Sequence, residues 1–316
     1  MTKLPCKCLV LTLVALACFV YGTQLAAAVS PLEGRIEDLL SRMTLDEKIG
    51  QMTQAERGSI KPHEVRKYFV GSVLSGGGSA PKRNTPEGWA DLIDGLQAEA
   101  LKTRLGIPIL YGSDAVHGHN NLYGATIFPH NIGLGAARDP ELMQKIGEIT
   151  ALETAATGVN WTFAPTVAVV DDIRWGRTYE SFGEHPELQE LLVTPLIRGL
   201  QGPANEMGSP YLVATAKHFI ADGAALWGTG GGSYSIDQGD VWLSEEELRE
   251  VHLQGYLEAI EAGVGTVMVS FTSYQGVKMH AHRALITDLL KGELGFQGLV
   301  VSDWEGIRHI PARDFY

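Results

Sequence analysis

An aspartate and a tryptophan stand directly after a short apolar segment near residue 300. The run 299–301 (Leu-Val-Val) follows a glycine and is typical of a strand that is buried on both faces. It ends in Ser302, Asp303 and Trp304. Because α/β enzymes place catalytic groups at the C-terminal ends of parallel strands, Asp303 is the first candidate for a catalytic carboxylate. Trp304 is the first candidate for a neighbouring substrate contact.

Other side chains capable of chemistry stand at or just past the ends of earlier predicted strands. Along the chain they are Asp114, Arg177, Lys217, His218, Met268 and Phe271. In a parallel barrel these strand ends face one opening, so we expect the six residues to gather with Asp303 and Trp304. Charged groups hydrogen-bond hydroxyls and an indole packs on C–H groups, which suits a polyhydroxylated ring. Taken singly, each residue could also be a cap, a surface ion pair or part of the core.

Strand-like and helix-like segments alternate after residue 30 and would position these side chains. Two capping-box patterns, Thr44 with Glu47 and Ser244 with Glu247, each predict the start of a helix. Strands are predicted at 69–74, 107–111, 159–164, 212–216, 265–271 and 299–301. Such alternation predicts a parallel sheet covered by helices. We expect an α/β fold, a (β/α)8 TIM-like barrel that is one or two units short of closure and thus incomplete at the C-terminus.

The first 28 residues have the pattern of a secretory signal peptide. Lys3 and Lys7 form a basic start, residues 9–20 form an apolar stretch too short to span a bilayer, and 26–28 (Ala-Ala-Ala) resemble a cleavage site. We predict a signal peptide over 1–28, one truncated barrel domain over 29–316, and a secreted or periplasmic mature protein. A membrane anchor and a lipoprotein signal at Cys18 are the alternatives.

Charge and cysteine content exclude several classes of partner. The formal charge is −12, and removal of Lys3 and Lys7 with the signal peptide would make it −14. An acidic exported chain is a poor ligand for nucleic acid or an anionic membrane, so we predict neither as a partner. The 3 cysteines all lie within the first 18 residues, so no disulfide framework is expected.

The glycine-rich run 228–232 lacks the Lys-Ser/Thr of a phosphate loop and is predicted to be a mobile loop.

Four stretches of the sequence resemble the motifs of glycoside hydrolase family 3. In family order they are 112–120 (Gly-Ser-Asp-Ala-Val-His-Gly-His-Asn), 174–181 (Arg-Trp-Gly-Arg-Thr-Tyr-Glu-Ser), 216–219 (Ala-Lys-His-Phe) and 302–306 (Ser-Asp-Trp-Glu-Gly). The resemblance covers nearly all of the predicted mature chain. It is to the secreted β-glucosidase and glucan exohydrolase branch.

The resemblance implies retaining, exo-acting hydrolysis of a β-glucoside or β-glucan, without a metal or organic cofactor. Asp303 would be the nucleophile that forms a covalent glycosyl-aspartate. It must be ionised, which hydrogen bonds and a nearby cation would favour. The substrate-binding positions carried over are Asp114, Arg177, Lys217 and His218 for sugar hydroxyls, and Trp304 for the ring face. Met268 and Phe271, the latter at a position where some plant members have tyrosine, are expected beside them.

Retaining hydrolysis also needs a second carboxyl group, the acid/base, about 5–5.5 Å from the nucleophile. In two-domain members of the family a glutamate of a following α/β domain fills this role. We expect that domain to be absent from this chain and the acid/base to lie outside it. Glu180, Glu184 and Glu305 are not assigned to the role, because nothing in the sequence places them opposite Asp303. The chain alone is therefore expected to have little or no activity.

Three other interpretations remain open from the sequence. One is a β-N-acetylhexosaminidase of the same family, which would carry a histidine soon after the Lys-His motif; here the next histidine is His252. Another is a barrel metallohydrolase, since a suitable order is formed by His117, His119, Lys217, His218, His252 and Asp303. The third is a non-catalytic sugar-binding fragment.

Overall fold

The structure is a computed structural model that describes residues 31–202 and 210–312. The predicted signal peptide, residues 1–28, lies outside the described residues. The chain divides into two units, one ending at Lys48 and the next beginning at Ile49. No helix in the described part of the chain has both the length and the apolar character needed to cross a membrane.

The first unit contains helix α1 (Pro31–Arg42) and the start of α2 (Leu45–Gln51). The predicted capping box is present at the start of α2. The Thr44 backbone N–H donates to the Glu47 carboxylate at 2.8 Å, and the Glu47 N–H donates to the Thr44 hydroxyl at 3.3 Å. Two N–H groups that the helix itself cannot pair are thereby satisfied.

The described residues of the second unit form ten strands. They are β1 (Gln54–Glu56), β2 (Ser72–Ser75), β3 (Leu110–Ser113), β4 (Trp161–Thr162), β5 (Thr215–Phe219), β6 (Asp240–Val241), β7 (Thr266–Val269), β8 (Ser273–Tyr274), β9 (Val277–Lys278) and β10 (Leu299–Val301).

Its helices separate these strands. They are α3 (Pro62–Tyr68), α4 (Pro86–Ala100), α5 (Asn131–Ala137), α6 (Pro140–Ala155), α7 (Pro186–Gln201), α8 (Glu245–Glu247) and α9 (Gln254–Glu261), with π-helical segments Leu248–His252 and Ala284–Glu293. The capping box at Ser244 and Glu247 is present. However, the single helix predicted to follow it is interrupted by the first π-helical segment.

Among the described residues, seven strands form two parallel sheets whose strands follow one another in chain order, and β6, β8 and β9 form a separate small sheet. One sheet has the order β1-β2-β3-β4 and another β5-β7-β10, and parallel bridges at Trp161–Val213 and Thr166–Lys217 join them. The predicted count of six strands was wrong, because the Gln-Ala-Glu segment of β1 has no apolar run to identify it. Among the described residues, β1 pairs only with β2, and β10 pairs only with β7.

Aromatic side chains fill the space enclosed by the parallel strands. Trp161, Phe163 and Met268 form a buried cluster. A Cβ on Gly112 would lie 2.4 Å from the Phe163 ring, so glycine at this position of β3 makes room for that ring. The Trp161 indole N–H donates to the Thr215 hydroxyl at 2.9 Å, which satisfies a polar group that has no access to water.

Helices α6 and α7 pack closely against each other on the outside of the sheet. A Cβ on Gly147 would lie 2.9 Å from the Gly199 Cα, so the two glycines permit the close approach. Leu192, Val193 and Ile197 of α7 are completely buried beneath this contact. In chain order, α7 connects β4 to β5, the strand that carries Lys217 and His218.

Candidate active site

A cavity of about 550 Å³ extends along β1, β2 and β10 and includes the C-terminal ends of the parallel strands. Its lining includes all eight residues that the sequence proposed, namely Asp114, Arg177, Lys217, His218, Met268, Phe271, Asp303 and Trp304. The strand order explains the convergence, because the ends of neighbouring parallel strands lie at the same edge. The volume is in the range of sites that bind small molecules.

Arg177 is fixed by a two-point contact with Glu180. Its Nε and Nη2 atoms donate to the Glu180 carboxylate at 2.7 and 2.9 Å, and Thr166 adds a hydrogen bond at 3.4 Å. Burial alone would raise the pKa of Glu180, but its contact with Arg177 outweighs burial and lowers it. Glu180 is therefore an ionised anchor for Arg177, and its lowered pKa is unsuited to a general acid.

Arg177 also defines the protonation of His218. The Arg177 Nη2 lies 3.0 Å from the His218 Nε2, and since arginine can only donate, this ring nitrogen accepts. Burial, followed by the charges of Arg177 and Lys217, holds the pKa of His218 well below its usual value. The ring is neutral, with its proton on Nδ1.

The Nδ1–H group of His218 donates a hydrogen bond to the buried side chain of Asp222. His218 Nδ1 lies 2.8 Å from an Asp222 oxygen, and the two side chains are only 3% and 7% exposed. Burial raises the pKa of Asp222 to about 7, against the opposing effect of Arg177. Asp222 therefore orients the His218 ring from behind and holds the Nδ1–H tautomer when ionised.

The Asp303 carboxylate lies at the centre of these contacts. One oxygen accepts the Trp304 backbone N–H at 2.6 Å, and the other lies 3.7 Å from the His218 Nε2. Burial raises the pKa of Asp303, while the Trp304 N–H, Arg177 and Lys217 oppose that rise. The predicted hydrogen bond and cations are present, but burial outweighs them.

Lys217 and Asp114 also line the cavity. The Lys217 ammonium lies 3.5 Å from an Asp114 oxygen, and its side chain is 6% exposed. A buried ammonium beside a carboxylate at the cavity wall is well placed to bind ligand hydroxyl groups. Trp304, in contrast, is 54% exposed at the cavity entrance, where one ring face can contact a ligand.

The histidines that suggested a metallohydrolase are held apart by separate partners. His117 contacts His130 at 2.7 Å, His119 is buried against Thr157, and His252 lies 3.4 Å from Asp171. Among residues 31–202 and 210–312, no group of three or more His, Cys, Asp or Glu side chains could hold a metal ion. The arrangement does not support a zinc site.

Sequence reasoning missed two residues that support the cavity from behind. Asp222 follows His218 by four positions, and this short spacing was a usable signal. His280 accepts the backbone N–H of Asp303 at 3.2 Å, although the two residues are 23 positions apart. Nothing in the local sequence distinguishes His280 from an ordinary core histidine.

The sequence matches the Glycosyl hydrolase family 3 N terminal domain over residues 44–314. The chain belongs to glycoside hydrolase family 3. The TIM-barrel-like α/β fold expected from the sequence is confirmed by this match and by the solved structures that it resembles. Those structures include an exo-1,3/1,4-beta-glucanase from a Pseudoalteromonas species, with a TM-score of 0.81 and 46% identity over 86% of this chain and 34% of that one.

Curated relatives show the same pattern of similarity. The chain is 34% identical to a lysosomal beta glucosidase of Dictyostelium discoideum, over 87% of this chain and 35% of the relative. It is 33% identical to a periplasmic beta-glucosidase of Salmonella typhimurium, over 87% of this chain and 34% of the relative. The chain thus spans about a third of the length of these proteins.

Proposed function

We propose that this chain carries the nucleophile and the sugar pocket of an exported, retaining exo-β-glucosidase or β-glucan exohydrolase. The observation that carries the proposal is the Asp303 carboxylate, which lies in a strand-end cavity beside His218 and within the field of Arg177 and Lys217. The family membership and the names of the relatives support the same chemistry.

Asp303 attacks the anomeric carbon of the terminal sugar in the proposed reaction. A bond forms between the aspartate oxygen and that carbon while the bond to the leaving oxygen breaks, and water later hydrolyses the glycosyl-aspartate. The cationic groups stabilise the ionised carboxylate before attack. Asp114, Arg177 and Lys217 bind hydroxyls, and His218 binds one when a sugar hydroxyl replaces Arg177 as the donor to its Nε2. Trp304, Met268 and Phe271 contact the ring.

The general acid/base is proposed to come from outside this sequence, from a following domain in the parent protein. Glu180 is unsuited, since both of its carboxylate oxygens are bound by Arg177. The domain assignment, with a signal peptide over 1–28 and the barrel domain over 29–316, belongs to the same proposal. Relatives named lysosomal and periplasmic support export.

Covalent labelling tests the proposal without the acid/base. An activated 2-deoxy-2-fluoro-glucoside has a leaving group that departs without protonation, so only the nucleophile and the sugar pocket are needed. We expect the intact mass to increase by one fluoroglycosyl group that maps to Asp303. Asp303→Asn should abolish the adduct, and Asp94→Asn, a change at an exposed acid of α4, should leave it unchanged.

Other outcomes of the labelling experiment would reject the proposal in distinct ways. An adduct on another carboxylate would remove Asp303 from the nucleophile role. No adduct, together with measurable binding of glucose or isofagomine by calorimetry, would identify a sugar-binding chain that lacks a competent nucleophile. Neither labelling nor binding would reject the sugar pocket itself.

A further inference from the structure

Within the part of the chain that the structure describes, the strand that leads to Asp303 pairs with a neighbouring strand on one side only. Val301, the last residue of β10, pairs with Met268 of β7, and no other strand among the described residues joins β10. Asp303 lies two residues past this final pair. Strand pairing therefore does not fix the orientation of the Asp303 side chain, which must depend on contacts outside the sheet.

His280 supplies such a contact at the Asp303 backbone. Its Nε2 accepts the Asp303 N–H at 3.2 Å. Because a backbone N–H can only donate, Nε2 must be unprotonated and the ring proton must be on Nδ1. Burial, with Lys278 and His309 contributing, lowers the pKa of His280 to about 4, so the neutral accepting form is present near pH 7.

His280 is carried by the segment that follows β7, the strand that pairs with β10. It lies in a 3-10 turn (Met279–Ala281) that directly follows the β8–β9 hairpin. The turn is anchored because the completely buried Met279 donates its N–H to the Thr272 carbonyl at 2.9 Å. The contact from His280 to Asp303 thus extends the attachment of β10 to the β7 region beyond the last strand pair.

Gly306 makes room for the His280 ring. A Cβ at Gly306 would lie 2.2 Å from the His280 Nε2, a distance at which the imidazole could not keep its position. The Gly306 N–H closes the turn by donating to the Asp303 carbonyl at 2.9 Å. Glycine is therefore required at position 306, the last residue of the Ser-Asp-Trp-Glu-Gly motif, because any side chain there would overlap the His280 ring.

We infer that His280 is a positioning residue that fixes the backbone of the nucleophile through the Asp303 N–H, and that Gly306 is the space that this contact requires. The inference rests on the proposed role of Asp303. With the backbone held, one carboxylate oxygen accepts the Trp304 N–H and the other faces His218 and the cavity. His280 does not line the cavity, so it acts on the nucleophile without contacting the sugar.

Labelling kinetics separate positioning from binding and from general stability. The rate of Asp303 labelling is measured against reagent concentration, which gives a limiting rate and a half-saturating concentration. For His280→Ala we expect the limiting rate to fall about 10- to 100-fold, because a displacement of about 1 Å costs that much, while half-saturation changes less than about threefold. His280→Gln keeps a side-chain acceptor and should recover most of the rate.

Two further variants provide the matched controls. Gly306→Ala should reproduce the slow labelling of His280→Ala, because the added methyl group displaces the imidazole ring although residue 280 is still a histidine. His63→Gln should label at the wild-type rate, since His63 is an exposed residue of α3 that does not line the cavity. An unchanged limiting rate in His280→Ala, or a loss confined to half-saturation, would overturn the inference.

The protonation of the His280 ring is measured independently by nitrogen-15 NMR of its side chain at pH 7. The inference requires a proton on Nδ1 and no proton on Nε2. A proton on Nε2 would overturn it, whether or not Asp303 forms the covalent adduct. If wild-type protein is not labelled but the ring has the required tautomer, the proposed function fails while the contact stands.

Discussion

Ionisation of the buried Asp222 should reduce the stability of this protein as the pH rises. The pKa of this carboxyl group is 3.8 in the unfolded chain and about 7 in the folded chain, because burial disfavours the charged form. Between these values the folded state holds a proton that the unfolded state has released. The free energy of unfolding therefore falls as the pH rises from about 4 to above 7.

The size of the effect follows from the same two pKa values. At 1.36 kcal/mol per pKa unit, the rise from 3.8 to about 7 corresponds to a loss on the order of 4 kcal/mol above pH 7. Asp222→Asn replaces the carboxylate with a neutral group of the same shape that can still hydrogen-bond to His218. The variant should exceed the wild type in stability by about 2 kcal/mol at pH 5 and by about 4 kcal/mol at pH 8.5, because the unfolded wild type is already ionised at pH 5.

Urea unfolding followed by circular dichroism at pH 5 and pH 8.5 measures both free energies. Asp94→Asn serves as the control, since that carboxylate is exposed, and its effect should stay within about 0.5 kcal/mol at either pH. A variant at Asp222 that is destabilised equally at both values would refute the reasoning. It would mean that the contact with His218 stabilises ionised Asp222 more than burial destabilises it.

Three further changes act on the cavity. Arg177→Lys cannot reproduce the two-point contact with Glu180, so calorimetry should show sugar binding weakened by about 1.5–3 kcal/mol; unchanged affinity would contradict this. The acid transition of the same variant should move to higher pH in urea unfolding, because Arg177 lowers the pKa of Glu180 and the resulting stability is lost as pH falls through it. Lys217→Met removes the buried cation near Asp114 and should slow labelling of the nucleophile at least about tenfold; an unchanged labelling rate would show that the Lys217 charge does not act on the nucleophile. Trp304→Ala removes an exposed ring, so sugar affinity should fall by about 0.5–1.5 kcal/mol while the urea midpoint is nearly unchanged.

The sequence predicted best where local chemistry determines structure. The apolar run that became β10 and the capping box at Ser244 were identifiable because each signal lies within a few residues. The expectation that the run is buried on both faces was wrong, since Leu299 is 48% exposed and the other two residues are only half-buried. The polar β1 was missed, since its strand conformation comes from pairing with β2 and not from its own residues. The π-helical interruption at Leu248–His252 was missed as well, because periodicity alone predicts a continuous helix through it.

The candidate site shows the same division. The eight cavity residues could be gathered from the sequence because the ends of parallel strands must lie together. The contacts that orient those residues could not be predicted as readily from the sequence. The contact between Asp222 and His218 depends on how deeply both are buried, and that between His280 and Asp303 depends on a hairpin whose fold the sequence does not specify.

The one-sided pairing of β10 has a consequence for how the protein responds to a ligand. Local opening is easiest where a segment has fewest hydrogen-bonded neighbours, so amide protons of β10 should exchange with solvent faster than those of β5, which is flanked on both sides. A ligand that contacts both Asp303 and Lys217 would connect this edge to the interior of the sheet. Ligand binding should then slow amide hydrogen exchange along β10. Because ordering β10 costs conformational entropy, the observed binding free energy would be less favourable by that amount.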